Sequence, residues 1–175
     1  MADLELVQDF VNTADLEEQC DDLRDARGLV QWLASHGLAR PRARASESDV
    51  AAARAVREAL RELLRANNGI PVDEPAAAAT LDAAGRRAGL SVRFDARGAI
   101  RLVPSERGVP GALGVVLSTV AEAMADGTWQ RLKACRSDTC RWAFVDHARN
   151  HSRQWCSMSV CGNRQKARMF RQRRA

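Results

Sequence analysis

The sequence has no uninterrupted apolar run of the roughly 20 residues that a membrane-spanning helix needs, although 46% of its 175 residues are hydrophobic. We therefore expect a protein that does not reside in a membrane. Residues 1–5 also lack the basic and apolar regions of a secretory signal. This absence predicts a cytoplasmic protein whose five cysteines stay reduced, because disulfides are rare in that compartment.

Residue arrangements typical of enzymes are also absent from the first 127 residues, which contain no recognisable triad, phosphate loop or carboxylate pair. Cys20 lies among acidic residues, an environment that disfavours a thiolate, so it is a poor nucleophile. Phe10, Trp32 and Met124 lie on helical faces and are predicted to be core residues. We therefore predict that the chain is not an enzyme.

The charges are distributed unevenly along the chain. Residues 131–175 contain twelve Lys and Arg against two acidic residues, a net charge of +10, so the preceding 130 residues carry −5. Four of the five cysteines lie in the same basic segment. A chain of this length forms one domain or one domain with an appendage. We predict a boundary at Gly127-Thr128, between an acidic domain (1–127) and a small basic, cysteine-bearing domain (128–175).

The first domain is predicted to be mostly helical. Asp21 or Asp22 is expected to cap the second helix and Asp73 the fourth. Alternating apolar residues on both sides of a four-residue turn at 95–98 predict a β-hairpin over about 90–103. Apolar periodicity predicts helices over residues 4–13, 23–35, about 76–88 and 112–125, and a longest helix that follows a capping arrangement at 46–49 and ends at 67–69.

The basic segment contains two cysteine pairs of equal spacing, Cys135-x4-Cys140 and Cys156-x4-Cys161, separated by fifteen residues. Each pair can supply half of a tetrahedral four-thiolate site, so the pattern predicts one structural Zn²⁺. About 45 residues cannot bury enough apolar surface to fold unaided, and a structural metal is a common remedy at this size. Ordinary buried or redox-active cysteines are the alternative.

Lys133, Arg136 and Arg141 are expected to offset the net −2 charge of Zn²⁺ with four thiolates and to lower the pKa values of the thiols. His147 and His151, four residues apart, could form a rival two-cysteine, two-histidine site with the first cysteine pair. That arrangement would leave the second cysteine pair unused. The histidines are otherwise expected to contact phosphate or to lie on the surface.

A strongly basic segment follows the last cysteine and is predicted to be a helix. At 100° per residue Arg164, Arg168 and Arg171 fall on one stripe, whereas Ala167 and Phe170 share another face that could pack on the zinc fold. Arginine pairs bidentately with phosphates and guanine edges, so double-stranded DNA is the predicted partner. The predicted DNA-binding residues are Arg141, Arg149, Arg153, Asn163, Arg164, Lys166, Arg168, Arg171, Arg173 and Arg174.

The sequence Cys161-Gly162-Asn163-Arg164 and the basic end after it resemble the CGNR zinc-finger family, and residues 9–13 (DFVNT) resemble that family's opening motif. Members of the family, largely bacterial, carry an N-terminal helical domain called ABATE. The resemblance covers essentially the whole chain. It implies a stress-induced transcription regulator in which the four cysteines bind the metal and Asn163 and Arg164 either cap a helix or contact DNA.

The resemblance also implies that the N-terminal domain could sense a ligand. Asp9 and Asn12 are the candidate residues of such an effector site, although Asn12 and Thr13 could equally cap the first helix. We expect the acidic domain to dimerise, to bind a small-molecule effector, or both, and the protein to associate with the nucleoid in the cytoplasm. The overall expectation is an α+β fold, mostly α: a helical domain with one β-hairpin, then a treble-clef-like zinc finger ending in a basic helix.

Two other functions compete with DNA-binding regulation. Asp146, His147 and His151 superficially resemble nuclease residues that activate water beside a metal, but they crowd into a shorter span than such nucleases use. Alternatively, the basic face of the finger could bind an acidic protein or RNA.

Overall fold

The computed structural model describes residues 3–172 and has the predicted α+β architecture, dominated by helices. The α-helices are α1 (Leu4–Val11), α2 (Ala26–Ser35), α3 (Glu47–Asn67), α4 (Glu74–Arg87), α5 (Gly108–Ala125) and α6 (Asn163–Gln172). Three antiparallel pairs join β1 (Ala14–Asp15) to β2 (Cys20–Asp21), β3 (Leu90–Phe94) to β4 (Ile100–Pro104), and β5 (Leu132–Ala134) to β6 (Ala143–Val145). A 3₁₀ turn spans Trp129–Arg131 and a π-helical turn spans Met158–Gly162.

The helix ends are capped mainly as the sequence predicts. Ser46 and Asp49 form a reciprocal capping box at the start of α3, and Asp73 caps α4. The expectation that Asp21 or Asp22 caps α2 is wrong, because Asp25 accepts the backbone N–H of Gly28 there, at 2.8 Å. The chain therefore enters α2 three residues later than expected.

Helix α5 is the central core helix. It begins at Gly108, four residues earlier than predicted, because Pro110 fits within a first turn that needs few backbone donors. Within residues 3–172 it is the one helix long and apolar enough to cross a membrane, and burial against its neighbours accounts for that composition. The predicted core residues Phe10 and Trp32 are buried, whereas Met124, near the end of α5, is 50% exposed and was wrongly assigned to the core.

The predicted hairpin is present as β3 and β4, with the register Leu90↔Pro104 to Phe94↔Ile100. Its base packs tightly on α5 at Gly114, where an added Cβ would lie 2.7 Å from the Cβ of Pro104 and 2.8 Å from that of Ala88. The short pairing of β1 with β2 was missed, because strands of two residues leave no alternating pattern to detect.

The β5–β6 hairpin of the basic segment shares the main hydrophobic core of the chain. Trp129, Leu132, Ala134 and Ala143 are buried in the same cluster as residues of α1, α3 and α5, and the hairpin lies on α1 and α3. The cysteine-bearing segment is therefore built onto the helices rather than tethered beside them. The boundary at Gly127-Thr128 stays a prediction.

Candidate metal centre and basic helix

The four cysteines of the basic segment converge on one point. The Sγ atoms of Cys135, Cys140, Cys156 and Cys161 all lie within 4.8 Å of one another. The Sγ of Cys156 is 3.6 Å from that of Cys140 and 3.7 Å from that of Cys161. Three of the cysteines are buried and Cys156 is half-buried. The predicted pairing of both cysteine motifs in a single site is therefore confirmed.

These spacings fit a zinc ion. Zn–S bonds of about 2.3 Å in a tetrahedron place neighbouring sulfurs about 3.8 Å apart, close to the 3.6 and 3.7 Å found here. Four thiolates are the ligand set of a closed structural zinc site, which keeps no position open for substrate. The residues therefore fit one structural Zn²⁺. The rival site with histidines does not form: His147 and His151 are exposed, and Cys156 and Cys161 complete the cluster.

The crowding of the thiols makes their ionisation unequal. Hydrogen bonds from the thiols of Cys140 and Cys156 lower the pKa of Cys135 to about 2. The same contact with Cys135 raises the pKa of Cys140, and it raises the pKa of Cys156 to about 12, whereas burial raises that of Cys161. Without metal, Cys135 is thus the thiol that ionises most readily. Zn²⁺ stabilises all four thiolates, so loading releases protons.

Backbone donors, rather than neighbouring cations, also stabilise the Cys135 thiolate. The N–H groups of Ser137 and Cys156 lower its pKa. Lys133, Arg136 and Arg141 were expected to offset the charge of the thiolates; that role stays a prediction, and each of these cations also contacts other groups. Lys133 pairs with Asp146 at 2.8 Å, Arg136 donates two hydrogen bonds to the carbonyl of Asn68, and Arg141 lies near Glu62 and Asp138.

Local backbone geometry places each cysteine pair. Cys135 directly follows β5, and the chain then turns through Ser137, whose carbonyl accepts the N–H groups of both Cys140 and Arg141. Arg141 adopts a positive φ of 52°, which completes the turn into β6. Cys161 lies in the π-helical turn that runs directly into α6. The metal site therefore anchors the start of the basic helix, as expected for a treble-clef-like finger.

Three asparagine side chains attach the cysteine-bearing segment from residue 128 onward, here called the zinc module, to the helices. The sequence interpretation missed two of these asparagines. At the end of α3, the Asn68 amide donates to the carbonyls of Ala134 (2.7 Å) and Gln154 (2.9 Å). The neighbouring Asn67 amide donates to the carbonyls of Trp129 and Leu132. The letters Asn67-Asn68-Gly69 had indicated only a helix end, and no local signal marks their partners.

Asn12, a predicted effector residue, is the third of these asparagines. Its amide makes two hydrogen bonds to the backbone of Ala143 in β6, donating at 3.0 Å and accepting at 2.7 Å. The residue is also the C-cap of α1, and the Thr13 hydroxyl beside it donates to the Phe10 carbonyl. Asp9, the other effector candidate, lies 3.6 Å from the Nε2 atom of His36. The effector role of both residues stays a prediction.

A buried ion pair supports the loop that leads to the second cysteine pair. Asp146 is completely buried; burial alone would raise its pKa, but Lys133 and the N–H groups of Ala148 and Arg153 hold it below its usual value. The Lys133 ammonium also donates to the His151 carbonyl. All of these contacts are internal, so Asp146 is committed to the loop and is poorly placed for the water activation that a nuclease would require.

The basic residues that were predicted to bind DNA separate into two groups. Arg153 faces inward: it donates to the carbonyls of Trp155 and Cys156 and its guanidinium lies 4.8 Å from the centre of the Phe144 ring. Together with Arg141, it has mainly internal contacts, and a DNA role for both stays a prediction. Arg173 and Arg174 lie outside the described residues. The exposed members of the predicted set are Arg149, Asn163, Arg164, Lys166, Arg168 and Arg171.

Helix α6 is exposed over its described length, with no buried residue. Ala167 and Phe170, the face that could pack on the zinc fold, are covered only in part: Ala167 is exposed and Phe170 is 56% exposed. An ion pair between Arg164 and Glu17, in the β1–β2 loop, ties the helix to the acidic domain. Arg164 and Arg168 also line a cleft of about 420 Å³ between α6 and the turn of the first cysteine pair, beside Arg136.

Comparisons with known families match both parts of the chain. The family model described as "CGNR zinc finger" matches residues 131–174, and that of the ABATE family, described as "Putative stress-induced transcription regulator", matches residues 4–127. Neither description names an enzymatic activity. No curated protein matches the chain.

Proposed function

The chain belongs to the ABATE family and carries a CGNR zinc finger, and from that premise we propose that it is a DNA-binding transcription regulator. In this proposal the zinc site is structural, and helix α6 lies against the duplex. The finger supplies the DNA-binding surface, whereas the helical domain holds it in place.

The position and charge of α6 carry this proposal. The helix has four cationic residues, no acidic residue and no buried side chain, and it starts two residues after a zinc ligand. A helix with no buried residue gains little stability from packing, so its connection to the metal site does most to orient it. A polyanion is the partner that such a surface fits best.

The cleft beside α6 supplies a docking position for a DNA phosphate. Its lining includes Arg136, Arg164 and Arg168, the polar side chains of Ser137 and Thr139, and one carboxylate, that of Asp138, so cations outnumber the acidic group. Arginine and hydroxyl donors at one concave site are typical of backbone contacts, which set the register of a protein on the duplex. The other exposed cations would follow neighbouring phosphates or enter the groove.

The proposal includes two partners besides DNA. A second copy of the chain and a small-molecule effector are both proposed to bind the helical domain. For the effector, Asp9 is the more accessible candidate, with its side chain 54% exposed, because the Asn12 amide is engaged with Ala143. A regulator of this kind is proposed to act on the nucleoid in the cytoplasm.

Fluorescence anisotropy of a labelled random-sequence duplex, titrated at several salt concentrations, tests the DNA proposal. If four to six phosphates are neutralised, log K is expected to fall with log[salt] at a slope of about −4 to −5. The change Arg168→Glu is expected to weaken binding and to make the slope shallower by about 1, with zinc content unchanged. Cys161→Ser is expected to lose both zinc and DNA binding.

A matched control separates a local contact from the general effect of charge. Arg93→Glu makes the same charge change at an exposed site on the β3–β4 hairpin, and it is expected to retain most of the affinity. Equal losses for Arg93→Glu and Arg168→Glu would contradict a role for α6, as would an affinity that does not depend on salt. If the chain binds the duplex weakly but binds RNA or an acidic protein strongly, the alternative in which the finger recognises those partners would be favoured instead.

A further inference from the structure

The β3–β4 hairpin presents an uncovered apolar face. Directly paired residues of antiparallel strands point to the same side, so the register Val92↔Leu102 and Phe94↔Ile100 places four apolar side chains together. At the base of the hairpin this face packs on α4 and α5, but towards the turn Val92 is 55%, Phe94 70% and Ile100 65% exposed. Large apolar groups remain in water there.

We propose that this half of the hairpin, the patch formed by Val92, Phe94 and Ile100, is the surface through which two copies of the chain dimerise. This proposal states where the second copy proposed above would bind, and it depends on neither zinc binding nor DNA binding. The two copies would meet around a two-fold axis, with the apolar face of each hairpin covering that of its partner.

The charge distribution on the hairpin favours a second copy over a nucleic acid. The pair Arg93↔Arg101 lies on the opposite face of the two-stranded sheet, so the patch itself carries no charge. Two identical uncharged faces can meet without repulsion, and a two-fold interface needs only that the surface complements itself. A polyanion would gain nothing at this face.

The size of the patch suits the centre of a modest dimer interface. The exposed parts of its three side chains amount to roughly 300 Å² of apolar surface, a size typical of interaction sites. A standard interface buries about 800 Å² on each partner, of which somewhat more than half is apolar. The patch therefore supplies most of the apolar centre, and neighbouring polar surface would form the rim.

The location of the hairpin leaves the proposed DNA surface accessible in the dimer. The hairpin is built on α4 and α5, whereas the zinc module lies on α1 and α3. A dimer formed through the hairpins would therefore present two basic helices, the arrangement with which dimeric regulators bind two half-sites.

Sedimentation velocity of the full-length, zinc-loaded chain at about 1–100 μM, without DNA, tests the proposal. The wild type is expected to shift from monomer to dimer over this range. Phe94→Asp is expected to raise the dimer dissociation constant about 30-fold or more, since it removes a central aromatic from both copies. Arg93→Asp, on the opposite face of the same strand, is the matched control and is expected to dimerise like the wild type.

A wild type that is still monomeric at the highest concentration would overturn the proposal. The same holds if the patch is covered by a different protein, since the chain alone would then stay monomeric. Unchanged dimerisation of Phe94→Asp would also overturn it. Circular dichroism checks that this variant is folded, as expected for a side chain that is mostly exposed. Ile100→Ser provides a milder second variant that decides the matter if the first misfolds. Because no DNA is present, the outcome is independent of whether the chain is a DNA-binding regulator.

Discussion

Replacing Asn68 by alanine tests whether the helical domain holds the zinc module in place. This side chain is 4% exposed and donates to the carbonyls of Ala134, directly before the first zinc ligand, and of Gln154, two residues before the third. It therefore bridges the two halves of the metal site from the end of α3. Alanine removes both donors without adding bulk or charge.

The expected loss follows from these two contacts. A hydrogen bond contributes about 1 kcal/mol net, and a buried carbonyl left without a donor costs about 1–3 kcal/mol. The Ala134 carbonyl loses its side-chain donor at that higher cost, whereas the Gln154 carbonyl keeps the N–H of Arg136 as a donor and loses about 1 kcal/mol, so together they lower the free energy of unfolding by about 2–4 kcal/mol. That is a large fraction of the 5–15 kcal/mol typical of a domain. Because the broken contacts flank the cysteines, the equilibrium constant for local opening of the cysteine-bearing segments should rise about 30-fold or more.

Urea denaturation of the zinc-loaded protein and the rate of zinc transfer to a chelator measure these two effects. Asn150→Ala is the control: Asn150 is exposed and its side chain accepts a hydrogen bond from the nearby Ser152 hydroxyl, so the unfolding free energy of this variant should change by less than about 0.5 kcal/mol. A loss below about 1 kcal/mol for Asn68→Ala, with zinc transfer as slow as in the wild type, would refute the idea that the helices stabilise the metal site.

Three further predictions concern the metal, the buried ion pair and the hairpin. Zinc loading of the reduced apoprotein at pH 7 should release protons, since mutual contacts and burial raise the thiol pKa values of Cys140, Cys156 and Cys161. Zinc affinity should therefore decrease as the pH is lowered, and calorimetry in buffers of different ionisation enthalpy that detected no proton release would contradict this. Asp146→Asn should destabilise the fold by about 3 kcal/mol. Because the pKa of Asp146 is lowered from 3.8, its contribution is complete above that value and is lost only as pH falls through the lower folded pKa. Urea titrations should therefore give the same difference in unfolding free energy between the wild type and Asp146→Asn at every pH from 7 to 5. A difference that changed within that range would contradict a lowered pKa for Asp146. Gly114→Leu should lower the free energy of unfolding by about 2–3 kcal/mol by forcing the hairpin base from α5, whereas thermal melts of the exposed Val115→Leu should match the wild type.

Features encoded by neighbouring residues were predicted well. The capping box of Ser46 and Asp49 was readable because both partners lie within one turn. The β3–β4 hairpin was readable because its turn and both strands are contiguous. The zinc ligands were readable because thiolates at paired spacing have few other uses.

Features that depend on competition between distant groups were predicted poorly. Lys133 is close to the cysteines in sequence, but it pairs with the buried carboxylate of Asp146, whose other side-chain partners are uncharged backbone N–H groups. Met124 follows the apolar period of α5 but lies in its last turn, where half of the side chain remains in solvent. Periodicity identifies an apolar face, but it does not show how far the neighbouring elements cover that face.

The sequence by itself determined the metal ligands, the metal-anchored basic helix and most of the helical domain, because each depends on residue types at short, regular spacing. Only the tertiary structure decided how the zinc module is held. The Asn12 side chain reaches β6 across 131 residues and Asn68 reaches β5 across 66. Almost any residue can supply the backbone group of such a hydrogen bond. The distant partner therefore leaves no pattern along the chain that sequence reasoning could detect.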